Sequence, residues 1–145
     1  SGSGVVPQAQ MQALPIGKAE VRRSGKGIAL LAFGSMLTPA LGAGEMLDAT
    51  VVNMRFAKPL DEACIIAMAA KHQLLVTIEE NAVIGGVGAE ISRIVDTLPN
   101  RPRVLRLGLP DRFIDHGDQS ELLAGAGLDR DGILAAIERL NHDNS

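Results

Sequence analysis

Apolar positions along this chain fall into short unbroken runs separated by stretches in which they recur every three or four residues. The runs "GIALLAF" (Gly27–Phe33), "ATVVNM" (Ala49–Met54), "LLVTIE" (Leu74–Glu79) and "RVLRLG" (Arg103–Gly108) have strand length; the first is continuously apolar and the second is rich in β-branched residues. Unbroken apolar character of that length predicts strands covered on both faces. "KAEVRR" (Lys18–Arg23) alternates only weakly and predicts an edge strand. Between these runs the spacing is helical. Thr38-Pro39 predicts a helix start, with Thr as cap and Pro at the first position, and that helix reaches about Leu47. Asp61 predicts the cap of a helix running to about His72, whose Glu62 suits the positive end and whose Lys71 and His72 suit the negative end. A third helix spans about Gly86 to Thr97, a short one Ser120–Ala124, and a last one Asp129–Leu140 with Asp129 as its cap.

Strand and helix alternate through short connections. That order predicts an α/β fold of three layers, a mostly parallel sheet of about five strands with helices on both faces and one antiparallel edge strand. In such sheets ligands and contacts gather beyond the carboxyl ends of the strands. The segments at those ends are "GSMLTP", "RFAKPLD", "EENAVIGGVG" and "GLPDRFIDHG", the least aliphatic and most distinctive of the chain.

Composition narrows the function. The 145 residues are 46% hydrophobic and 21% charged, enough for one domain that buries roughly 68% of its unfolded surface. The only aromatic residues are 3 Phe, with no Trp or Tyr, so there is no platform on which bases would stack. Net charge is −3 without a long basic run, which argues against a nucleic-acid partner. No apolar stretch has the length of a membrane span and no signal-peptide pattern opens the chain, so no membrane partner is expected and the expected location is the cytoplasm, or a plastid in a plant. The single Cys64 excludes an internal disulfide and a multi-cysteine metal site, and its apolar helical surroundings point to packing. Residues 1–13 have linker composition and read as an arm from a preceding domain; 14–141 form the domain and 142–145 a polar tail.

Each polar cluster has a chemical and a structural reading. Gly85, Gly86 and Gly88 follow a strand and open a helix, a place where amides meet anions. Yet the spacing is neither a dinucleotide nor a Walker motif, and Glu79 and Glu80 just upstream would repel a phosphate. A tight turn in close contact with another backbone fits better. Glu79 and Glu80 point to opposite faces of a strand, so they cannot act as an acid/base pair; one is expected to pair with a cation and the other to cap the next helix. Asp111, Asp115, His116 and Asp118 crowd one loop, but without a known metal-ligand spacing; turn chemistry is the simpler reading. Arg55 and Lys58 flank Phe56, for structural salt bridging or, alternatively, to hold an anion or a partner's carboxylate. His72 reads as a helix-end residue, and His142 lies in the polar tail.

Taken together, "LPIGKAEVRRSGKGIALLAFGSML", "ATVVNMRFAKPLDE", "LLVTIEENAVIGGVGAEI", "LGLPDRFIDHG" and "GLDRDGI" resemble, in the same order, the carboxyl-terminal, transketolase-type domain of 1-deoxy-D-xylulose-5-phosphate synthases. The resemblance runs from about Leu14 to Leu140. "EENAVIGGVGAEI" alone is also similar to the second domain of the β subunits of 2-oxo-acid dehydrogenases, and its "VGAEI" leans that way; "GLPDRFIDHG" favours the synthases. The resemblance implies a parent transferase that uses thiamine diphosphate and Mg²⁺ to condense pyruvate with D-glyceraldehyde 3-phosphate, releasing CO₂, at the entry to isoprenoid and thiamine biosynthesis. It places cofactor and metal on two preceding domains, since no G-D-G…N signature occurs here. No catalytic, cofactor-binding or metal residue is therefore expected in this chain, which alone is expected to be inactive. Its role is expected to be packing on the preceding domains and support of a homodimer. The expected interface residues are Glu79, Asn81, Gly85, Gly86, Gly88, Phe113 and His116. "SGSG" at the start reads equally as an engineered scar or a native glycine-rich linker. A dehydrogenase β-subunit domain and a stand-alone anion-binding module are the alternatives.

Overall fold

The alternating pattern builds a five-stranded sheet in the order β1-β3-β2-β4-β5. In the computed structural model, which describes residues 17–55, 59–82, 86–109 and 129–143, the strands are β1 (Glu20–Arg23), β2 (Gly27–Ala32), β3 (Thr50–Asn53), β4 (His72–Ala82) and β5 (Arg103–Leu109). The helices are α1 (Leu37–Leu47), α2 (Glu62–Lys71), α3 (Val87–Asp96) and α4 (Arg130–Asp143). β2 pairs in parallel with both β3 and β4, and β4 in parallel with β5. β1 joins β3 antiparallel, with Glu20 opposite Asn53. The three-layer architecture with one antiparallel edge is thus the one the pattern predicts.

Period-two alternation sorts each strand onto two cores. Leu30 and Ala32 of β2, Val51 of β3, and Leu74, Val76 and Ile78 of β4 face one layer, where Ala40 and Ala43 of α1 meet Ile133 and Ile137 of α4. Ala29, Leu31, Val52 and Leu75 face the other, with Ile65 and Met68 of α2 and Ile91, Ile94 and Val95 of α3. The small residues of α1 let it approach the sheet. A Cβ on Gly44 would run into the Val51 side chain.

Among the boundaries that differ from the pattern, three have a visible physical cause or bear on a named residue. α1 begins at Leu37, after a 3₁₀ turn over Gly34–Met36, and Met36 at the cap position makes no side-chain hydrogen bond. Gly34 turns the chain at φ +63° directly off β2, so helical geometry starts before Thr38. Thr38 is then not a cap, and Pro39 still lies in the first turn, where its missing N–H has no partner to lose. β4 continues past Glu79 to Ala82, where its pairing with β5 resumes opposite Leu109 after a register shift. α4 runs to Asp143 and takes in His142, two residues into the expected tail.

Candidate functional site

The carboxyl ends of β2, β3, β4 and β5 lie along one rim of the sheet, and the feature best defined there is the entry to α3. β4 delivers Glu79 to the α2–α3 face of the sheet, on the same side as Thr77. Glu79 is 4% exposed. Its Oε1 accepts the amide of Val87 at 3.3 Å and its Oε2 accepts that of Gly88 at 3.0 Å. One carboxylate therefore satisfies two of the amides that a helix leaves open at its start. Its charge is compensated by those two bonds and by the positive end of α3. Of the two adjacent glutamates, Glu79 is the one that caps the helix.

Close packing below this cap depends on Gly88. A Cβ there would stand 2.8 Å from Thr77 Oγ1 and 3.0 Å from Arg106 Cγ and Cδ. Arg106 pairs across from Thr77 in the β4–β5 register. Thr77 is fully buried, and its Oγ1 is a buried polar atom with no hydrogen-bond partner among the described residues. Gly86 occupies the cap position of α3 with extended backbone (φ −86°, ψ −173°), and Asn81 continues β4. Glu79, Gly86 and Gly88 thus converge on the α3 entry. Gly85, Phe113 and His116 fall outside the described residues, as do Phe56, Lys58, the Asp111, Asp115 and Asp118 loop and the Ser120–Ala124 segment.

This geometry bears on phosphate and diphosphate. The amides of the glycine turn face an internal carboxylate, so the described residues do not fit the diphosphate of a thiamine cofactor at this turn. Nor, among those residues, do three His, Cys, Asp or Glu side chains gather as metal ligands. No helix among them is long and apolar enough to cross a membrane.

The other sequence candidates resolve into structural roles. Asp61 caps α2 as expected, its Oδ1 accepting the Cys64 amide at 3.1 Å; its Oδ2 accepts the amide of Ala19 at 2.7 Å, 42 residues away. Asp129 caps α4 by accepting the Gly132 amide at 2.8 Å. Burial, and secondarily the Asp61 carboxylate, push the Cys64 thiol up, which keeps it protonated and unreactive. Arg55, in left-handed backbone at φ +65°, donates to the Lys18 carbonyl at 3.3 Å. His72 ends α2 and begins β4, but it is buried rather than a surface cap. Its ring joins Met68 O through Nδ1 and Thr50 Oγ1 through Nε2, each at 2.8 Å. Nothing in the spacing of Thr50 and His72 announces that pair.

The family "Transketolase, C-terminal domain" matches residues 17–133. The chain is 71% identical over 99% of its length to a 1-deoxy-D-xylulose-5-phosphate synthase of Azoarcus sp. (strain BH72), and 63% identical over 95% to one of Aromatoleum aromaticum. It spans only 23% and 22% of those two proteins. Among solved structures, it superposes on a split-gene transketolase in an inactive β4 tetramer with TM-score 0.73 and 30% identity, covering 87% of this chain and 43% of the other.

Proposed function

Because the chain belongs to the transketolase carboxyl-terminal domain family, we propose that it is the last domain of a 1-deoxy-D-xylulose-5-phosphate synthase. The parent enzyme condenses pyruvate with D-glyceraldehyde 3-phosphate, releases CO₂ and works in the cytoplasm. Thiamine diphosphate and Mg²⁺ are held by the two domains that precede this one. The proposal rests on high identity to proteins of that name over nearly the whole chain, which itself accounts for less than a quarter of their length. The role assigned to this domain is structural. It packs on its neighbours and supports a homodimer through the carboxyl-end rim, with Glu79, Asn81, Gly85, Gly86, Gly88, Phe113 and His116 at or beneath the contact.

The observation that favours a structural over a catalytic role is the Glu79 carboxylate seated on the α3 amides. It fills the one glycine turn that otherwise invites a phosphate. In calorimetry, the chain alone is expected to give no heat with thiamine diphosphate and Mg²⁺, and to leave pyruvate unconsumed. Turnover of pyruvate by the isolated chain would overturn the assignment. In the full-length enzyme, Gly86→Arg is expected to lower dimer stability or soluble yield; unchanged sedimentation and melting would remove the rim from the interface.

A further inference from the structure

At the opposite end of the sheet, away from the rim, a cleft of about 580 Å³ opens between the turn Ser24–Lys26, the start of β4 and the end of α2. Ser24, Lys26, Lys71 and Gln73 stand at its mouth, and Val21 and Met68 supply apolar wall. Its lining holds two lysines and a histidine but no carboxylate. The size is that of a small-molecule site. The nearby cation Arg23 is already engaged, with its Nη1 on Asp48 Oδ1 at 3.2 Å and on Ala49 O at 2.9 Å.

His72 and Thr50 lie in the inner wall, 8% and 4% exposed. Thr50 Oγ1 receives the Gly25 amide at 2.9 Å, lies 3.2 Å from the Gly25 carbonyl and 2.8 Å from His72 Nε2. His72 Nδ1 lies 2.8 Å from Met68 O, a carbonyl that can only accept, so Nδ1 carries a proton. Counting hydrogens then gives two states. With a neutral ring, Nε2 accepts the Thr50 hydroxyl proton and the Gly25 carbonyl loses that donor. With a charged ring, Nε2 donates to Oγ1, the hydroxyl turns to Gly25 O, and all of these contacts are satisfied together. The charged state completes the network, and the same cleft is lined by Lys71 from α2 and Lys26 from the turn. β2 and β3 contribute only Gly27 and Thr50 to the lining.

We propose that this cleft binds a small anion of the sulfate or phosphate-ester class between Lys26 and Lys71, and that binding is linked to uptake of one proton by His72 Nε2. The anion supplies the negative charge that the lining lacks. The proton comes from solvent, and the Thr50 hydroxyl rotates from His72 to Gly25 O as it arrives. Nothing in this site depends on the assignment of the parent enzyme.

Sulfate is the suitable probe because its own charge does not change between pH 6 and pH 8. Titrated into the chain and followed by amide shifts, it is expected to move Gly25, Lys26 and Gln73 saturably and to bind about fivefold more tightly at pH 6 than at pH 8. The ring ¹⁵N signals of His72 should shift toward the doubly protonated form as sulfate is added at constant pH. K26Q/K71Q, changing two exposed side chains, should abolish saturation, and His72→Gln should bind with no pH dependence. Shifts that never saturate, saturation retained in K26Q/K71Q, or His72 ring signals indifferent to sulfate would overturn the proposal. The ring signals decide the question in the unsubstituted chain even if His72→Gln fails to fold.

Discussion

α2 and α3 pack side by side on one face of the sheet, yet their amino termini are closed in different ways. α2 is closed locally by Asp61, the residue just before it, which gives one oxygen to the helix and the other to Ala19. α3 is closed by Glu79, eight and nine residues before the amides it bonds, with both oxygens committed to the helix. Asp61 thus joins a helix to a distant edge of the sheet. Glu79 joins a helix to the strand that leads into it, and in doing so fills the glycine turn. A glycine-rich strand-to-helix junction is an anion site only if the protein does not supply the anion, and here it does.

The comparison can be broken most sharply at Glu79. Glu79→Ala leaves two amides of a buried helix end without partners and should lower the unfolding free energy by about 3 kcal/mol. A loss in urea denaturation no larger than that of an exposed glutamate would show that the cap contributes little. Asp61→Ala should cost less, about 1–2 kcal/mol, because water can reach its partners more readily. If it proves the more damaging of the two, the link to Ala19 outweighs the cap. Thr77→Val should fall within about 0.5 kcal/mol of the parent or raise its melting temperature, since it deletes a hydroxyl without a partner and leaves the shape nearly unchanged. A marked loss would mean that Thr77 has a partner in solution.

The smallest effect concerns the exposed side of α3. A hydrogen bond from Arg93, with its charge as a lesser cause, holds the Glu90 carboxyl below the usual carboxylate range. A depressed value contributes stability above the ordinary range near pH 4, and loses it as pH falls through the lowered value. Glu90→Gln should therefore lower the melting temperature slightly at pH 7, where the contribution is present, match the parent at the acid end, where it is already lost, and so flatten the acid limb, an effect that salt screens. A difference from the parent that grows as the pH falls would contradict this.

The same contrast explains what the sequence makes legible. Asp61 and Asp129 precede their helices at cap spacing, so both caps can be read directly. At Glu79-Glu80 the sequence shows that one carboxylate is free to cap the next helix, but the choice depends on strand parity in a β4 that runs on to Ala82. That extension comes from pairing with β5, a tertiary cause with no local signal. Strands β2 to β5 were legible as short apolar-rich runs bounded by turn residues. The start of α1 was not, because a left-handed glycine at Gly34 outranks the Thr38-Pro39 signal. The Thr50–His72 pair joins residues 22 apart and follows only from the parallel stacking of β3, β2 and β4.

Asp61 also has a mechanical consequence. The chain just before β1 passes Ala19, whose amide is held by the same carboxylate that starts α2. Tension applied ahead of β1 would load the Asp61 bond at Ala19, so peeling away the antiparallel edge and loosening the first turn of α2 form a single opening event. Hydrogen exchange should reveal this as matched rates at the amides of Ala19 and Cys64.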